Sequence, residues 1–285
     1  MEQLSGPIGF LLGRGLISQL LLTVIIIVIV YVIISMMETL YTLVKRMDQQ
    51  TTALFPNTTP GKQLIVQAPD AQNLIYNSQN EQNGMEFSYS MYLFISPDTF
   101  EATVQETCGG STSQKPTYLK HIMHKGSKAG FPLMAPGLFV EGNKNTLRLY
   151  MNSSTKPDNY VEIPNIPIGK WFHLVITLKG KYLDVYINGN VTVRHQFDVV
   201  PKLNFGNVYV LYPIQFPKPD MSVNTPFRVD NAAKGMVSRL NYYAYALNYS
   251  QIDALYREGP SKVIVNNNFT EIPPYFHDDW WVNKY

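Results

Sequence analysis

From Gly15 to Met37 no residue carries a charge, and Arg14 closes one end of the stretch as Glu38 closes the other. At 1.5 Å per residue it makes about 34 Å of helix, against a bilayer hydrocarbon core of about 30 Å. Its centre, Leu20 to Ile34, is almost entirely Leu, Ile and Val. Ile and Val, which dominate it, are β-branched and mediocre helix formers in water. In lipid the backbone must satisfy itself within its own segment, and a single span then has only the helix open to it. The core helix of a soluble domain would be shorter or would show a polar face. A cleaved signal peptide would have a shorter apolar region closed by small residues, whereas Ser35-Met36-Met37-Glu38 is a poor cleavage site. The expectation is an N-terminal segment over 1–14 and an uncleaved transmembrane helix over 15–37, which makes the lipid bilayer the first expected partner.

Orientation is nearly balanced. Arg14 and the free amine precede the span, and Lys45 and Arg46 follow it, a slight tilt toward a cytosolic C-terminal side. The single cysteine, Cys108, rules out an intrachain disulfide and fits a reducing compartment better than an oxidising one. Five Asn-X-Ser/Thr sequons, at Asn57, Asn152, Asn190, Asn248 and Asn268, point the other way, although a chain this rich in Asn acquires several by chance.

After the span, 38–46 reads as a helical stalk and 49–61 as a Pro- and Gly-dense break, so 38–61 is assigned to stalk and linker. From Lys62 the pattern changes to short alternating runs between turns, the signature of an all-β sandwich that here occupies 62–260. Hydrophobic residues make up 45% of the chain, enough for a packed core. A net charge of +2 without any Lys/Arg block argues against nucleic acid as a partner. Strands are expected at Met85–Ile95, Tyr118–His124, Leu138–Val140, Asn145–Met151, Trp171–Leu178, Tyr182–Ile187, Val191–Phe197, Val208–Tyr212 and Met236–Ala246. Asn188-Gly189 is a two-residue hairpin turn, since both positions tolerate φ > 0. Ser250 with Asp253 resembles a capping box for a short helix stopped at Gly259-Pro260. Trp171, Leu174, Leu183, Val185 and Leu240 are the expected core. The tail, 261–285, carries Tyr275, Phe276, Trp280, Trp281 and Tyr285, a density of aromatics that points to an interaction surface.

Gly169-Lys170-Trp171-Phe172-His173-Leu174-Val175, followed by Leu183-Asp184-Val185-Tyr186-Ile187-Asn188-Gly189, resembles the core signature of laminin G-type, concanavalin A-like lectin/glucanase domains. The later stretch from Gly235 to Leu240, then Tyr245-Ala246-Leu247 and Ile252 to Pro260, fits the ending of that family. The resemblance implies a two-sheet antiparallel jelly-roll sandwich. With a membrane segment in front, the chain further resembles virion proteins of large double-stranded DNA viruses, which would make it a minor capsid protein tying an inner membrane to other structural or capsid proteins.

The hydrolases of that family need two carboxylates on one strand, in a Glu-x-Asp-x-x-Glu type motif. No such motif occurs: Glu101 and Glu106 sit on an expected loop, and Asp278-Asp279 in the tail. No catalytic residue is therefore assigned, and the chain is expected not to be an enzyme. His173 alternates with Trp171, Val175 and Thr177 and reads as an interior histidine. His121 and His124, three apart on an expected strand, would face opposite sides and share no metal ion. Calcium, the usual cofactor of sugar-binding relatives, would have to draw on Asp158, Asp220 or Asp230, which no spacing singles out. No cofactor or metal is assigned on that basis. Nineteen tyrosines offer stacking surfaces to glycans. Two functions stay open: a structural or interaction protein at a membrane, and a membrane-anchored lectin-like or adhesion protein.

Overall fold

The computed structural model describes residues 15–71, 73–78, 84–100, 118–156, 158–217 and 228–265, with backbone alone for 42–49. Two compact units result, divided between Gln49 and Gln50. The aromatic tail residues Tyr275, Phe276, Trp280, Trp281 and Tyr285 lie outside the described residues, as do Cys108, Glu101, Glu106, Asp220 and Asn268.

The described residues of the first unit form one helix, α1, Leu16–Gln50, whose last residue lies just past the division. Its apolar stretch, Leu16–Tyr41, is 26 residues long, with a mean hydropathy of 3.1 over its most apolar 18 residues, long and apolar enough to cross a membrane. The Leu, Ile and Val side chains are exposed all round the helix. Its hydroxyls are turned back onto its own carbonyls: Thr23 donates to Gln19 O at 2.8 Å and Thr39 to Ser35 O at 2.8 Å. That arrangement leaves neither hydroxyl in need of water.

The second unit is an all-β sandwich of two sheets. Strands β1 (Thr51–Phe55), β14 (Gly235–Tyr243), β3 (Glu86–Ile95), β8 (Trp171–Lys179), β9 (Tyr182–Ile187) and β10 (Asn190–Gln196) form one sheet in that order. In the other, β12 (Gln215–Phe216), β13 (Val229–Ala232), β4 (Leu119–Gly126), β5 (Met134–Glu141), β6 (Leu147–Tyr150) and β7 (Tyr160–Ile163) follow one another. Beside β13, β4 also pairs with β11 (Asn207–Val210), which carries β2 (Gln63–Ile65). Pairing is antiparallel throughout, except that β13 runs parallel to β4. Between the sheets lie Phe87, Tyr89, Met91 and Leu93 of β3 and Phe172, Leu174, Ile176 and Leu178 of β8, against Leu138, Val140, Leu147 and Leu149.

Each sheet is covered on its outer face as well. Helix α2 (Tyr249–Glu258) packs Ile252 with Leu247 onto Val175, Tyr186 and Tyr243 of the first sheet. Ile214 and Phe216 pack with Val229, Leu119, Met134, Phe139 and Tyr150 on the second. With both faces covered, β3, β4 and β5 are apolar or buried on both sides rather than cleanly alternating.

Four expectations are corrected. The linker expected up to residue 61 already contains β1: Thr51 to Phe55 pair with β14 while Thr52 and Leu54 turn inward, and Thr59 bridges Val237. Proline and glycine at 56–61 mark the end of an edge strand there, not a free linker. The capping box of α2 is Asn248 with Gln251, each bonding the other's backbone N–H at 2.9 Å, two residues before the expected pair. Trp171 is only half-buried: on β8 the residues of even number face the core, so Trp171 shares the outer face with His173 and Val175 and meets Phe94 at 5.8 Å. The fourth concerns His121 and His124, whose rings meet on one face of β4. Leu174, Leu183, Val185 and Leu240 are fully buried as expected. Asn188 and Gly189 take φ of 50° and 79°, the two positive values that the hairpin turn demands.

Candidate functional site

On the outer face of the first sheet, beside the start of α2, there is a hollow of about 490 Å3. Strand parity builds it. Leu183 and Val185 point into the core, so Tyr182, Asp184 and Tyr186 of β9 point out, joined by Thr177 and Lys179 of β8 and Arg194 of β10. Ala246, Leu247 and Asn248 close the rim, the last held by the capping box. Arg194 grips Asp184 with two parallel bonds, Nε to Oδ1 at 2.8 Å and Nη2 to Oδ2 at 3.2 Å. That fork fixes a carboxylate and a planar set of donors in one place. The Asp184 hydrogen bond raises the Arg194 pKa, and burial raises that of Tyr186. Tyr182 is 55% exposed and offers its ring at the hollow's edge. A flat aromatic beside a fixed acceptor-donor pair suits a ligand with one apolar face and a rim of hydroxyls.

His173 is fully buried on the same outer face, beneath α2. Its Nε2 lies 2.8 Å from Ser90 Oγ, its backbone N–H donates to Asn188 Oδ1 at 2.9 Å, and Nδ1 has no described partner. Burial pushes its pKa down to about 4. A serine–histidine pair without a third group on Nδ1, covered by a helix, lacks the orienting partner and the access that nucleophilic catalysis requires.

His121 and His124 do not face opposite sides. A bulge between His121 and Met123 sends both Ile122 and Met123 into the core and turns the two imidazoles outward together. Nε2 of His121 lies 2.7 Å from Nδ1 of His124. Both rings are fully buried, against Phe139 and Tyr209. No spacing rule predicts this, because the bulge breaks the alternation on which such rules rest.

Among the described residues no three His, Cys, Asp or Glu converge as metal ligands. Asp230 is engaged by Lys120 at 3.1 Å, and Asp158 lies apart from it, ahead of β7. Of the sequons, Asn152 is buried with Oδ1 accepting from Met134 N–H and Nδ2 donating to Pro132 O, which closes it to modification, while Asn190 and Asn248 are exposed.

No family model matches the chain, and no curated protein matches it. Solved structures that it is similar to include the receptor-binding domain of botulinum neurotoxin mosaic serotype C/D, at 12% identity and a TM-score of 0.42, over 61% of this chain and 36% of that one. Another is the botulinum neurotoxin serotype D ligand-binding domain in complex with N-acetylneuraminic acid, at 13% identity and 0.43, over 70% and 42%. A third is Trypanosoma rangeli sialidase in complex with a difluoro-KDN ligand, at 16% identity and 0.40, over 73% and 28%. This chain thus spans well under half the length of each. Scores this low transfer no site from those proteins.

Proposed function

We propose that the chain is a non-enzymatic, membrane-anchored recognition protein of lectin-like type, with α1 in the bilayer and the hollow beside α2 as the binding site for a glycan. The observation that carries the reading is the juxtaposition in that hollow of the exposed Tyr182 ring with the forked Asp184–Arg194 pair. A pyranose stacks its C–H face on such a ring and places its hydroxyls on the fixed carboxylate and guanidinium. Lys179, Thr177 and Asn248 supply further polar contacts. The anchor reading rests on the length and apolarity of Leu16–Tyr41.

The test is a glycan array probed with the full chain in lipid nanodiscs, alongside Tyr182→Ala and Arg194→Ala. Binding that both substitutions abolish, with unchanged melting temperature, supports the reading. Wild-type protein that captures no glycan, or variants that bind as wild type does, would sink it. The narrower expectation of a virion protein tying an inner membrane to a capsid rests on the membrane segment in front of the sandwich, with the tail aromatics as the tether, and finds no support among the described residues.

A further inference from the structure

The His121–His124 pair is the middle of a chain of hydrogen bonds whose direction is forced from both ends. At one end Tyr212 donates its backbone N–H to His121 Nδ1 at 3.1 Å, so that nitrogen must be an unprotonated acceptor. At the other end His124 Nε2 faces the carbonyl oxygen of Ser127 at 2.8 Å, so that nitrogen must carry a proton. Between them His121 Nε2 meets His124 Nδ1 at 2.7 Å. One assignment satisfies all three contacts: both rings neutral, both protonated on Nε2, every donor matched to an acceptor. The chain has no room for another proton. Placed on His121 Nδ1 it would oppose the Tyr212 N–H, and placed on His124 Nδ1 it would oppose the His121 Nε2–H.

Those contacts hold three separate pieces of backbone together: β4, the 127–133 segment that follows it, and the 211–214 segment that follows β11. The last two cover the outer apolar cluster. Phe131 from one lies 5.1 Å from Phe216 beyond the other, over Met134, Phe139 and Val229. Among the described residues, the surrounding groups offer an incoming charge no partner. On β11 there is Tyr209, stacked on His124 at 4.7 Å, and on the covering segment Tyr212. From β5 the facing residue is Phe139, while Glu141 further along is held by Arg148 at 2.7 Å. On β13 Asp230 is taken by Lys120, and on β4 itself Lys125 turns to Asn204. Burial accordingly drives the pKa of His124 down to about 4 and that of His121 well below its ordinary value.

We infer that the hydrogen-bonded chain Tyr212–His121–His124–Ser127 is an acid-sensitive latch: protonation releases segments 127–133 and 211–217 from the outer face of the second sheet and uncovers the apolar surface beneath. Opening grows as pH falls below the ordinary histidine value of 6.5, by up to tenfold per pH unit for one proton and a hundredfold for two. The device lies on the sheet opposite the hollow and does not depend on any ligand bound there.

Hydrogen–deuterium exchange on the full chain in nanodiscs tests it, read as protection factors corrected for intrinsic exchange between pH 7.5 and 4.5. The expected result is protection in 127–133 and 211–217 that falls steeply with acidification, while the core strand β3 stays protected. His124→Gln, which keeps a donor and an acceptor but does not titrate, should weaken that dependence, and His121→Gln/His124→Gln should remove it. Flat protection in both segments, or an unaltered pH dependence in the double variant, overturns the latch. If the variants do not fold, imidazole 15N shifts of the wild type at neutral pH decide: Nδ1 unprotonated in both rings supports the assignment, and a protonated Nδ1 in either overturns it.

Discussion

The clearest energetic contrast in the fold lies between two neighbours on β8, Leu174 and Trp171. Leu174 faces the inter-sheet core, is fully buried, and sits between Met91 of β3 and Ile187 of β9. Strands hydrogen-bonded on both sides cannot collapse into the space a missing side chain leaves. Leu174→Ala should therefore fall in the middle or upper part of the usual range of about 2–5 kcal/mol. At about 2–4 °C per kcal/mol for a domain of this size, a loss of 3 kcal/mol lowers the melting temperature by roughly 6–12 °C. Trp171 is the larger side chain, but it stands on the outer face, partly exposed, with Phe94 as its ring neighbour. Truncating it leaves a dent open to water rather than a closed cavity, and Trp171→Ala should cost about 1 kcal/mol, at the ordinary mean for substitutions. Thermal unfolding of the full chain in detergent, followed by far-UV circular dichroism, compares the two directly. A larger loss for Trp171→Ala than for Leu174→Ala would refute the assigned parity of β8, and with it the outward placement of the hollow.

Acid should destabilise the sandwich through His173: its folded-state pKa of about 4 lies below the ordinary 6.5, so the unfolded chain takes the proton first. The stability present above pH 6.5 is lost as pH falls toward 4, by about 3 kcal/mol at most, and His173→Gln should flatten that part of a denaturant-midpoint titration. Gly235→Ala should destabilise by several kcal/mol, because an added Cβ would stand 2.0 Å from the Phe94 carbonyl oxygen, backbone that cannot step aside. A melting temperature unchanged by the substitution would show that β14 enters its sheet differently. Alkaline carbonate should leave the whole chain in the membrane pellet, and release of full-length protein, or a mature N-terminus after Ser35, would remove the anchor.

Much of the sandwich is legible in the sequence because most strands keep one dominant periodicity. Met85 to Ile95, Trp171 to Leu178 and Tyr182 to Ile187 reappear as β3, β8 and β9 within a residue or two, and Asn188-Gly189 sits at its hairpin. β7, four alternating residues between Pro157 and Pro164, is missed for its shortness; the other elements missed are those whose pattern is set by tertiary contact. β1 and β2 lie in polar or Pro-flanked stretches, and β12 and β13 owe their pairing to β4 and to each other. The hollow was legible only in pieces. Leu183-Asp184-Val185-Tyr186 stands out as a motif, but only the structure brings Arg194 and Asn248 to it, from a neighbouring strand and a helix cap. The histidine pair was misplaced because one extra residue in β4 inverts every side chain beyond it.

Among the described residues the strand order leaves β10 with a neighbour on one side only, and most of its residues are exposed. In dilute solution such an edge meets another rarely. With α1 anchoring the chain as proposed, copies would share two dimensions, and their effective concentration would rise by orders of magnitude. An open strand then becomes a template for joining sheets from neighbouring copies. β10 is blunted against this by the register break between Val191 and Val193 and by the charged Arg194 that follows it. Removing the break should cost little within one copy. Its consequence would appear at high surface density, as patches of copies that no longer diffuse independently.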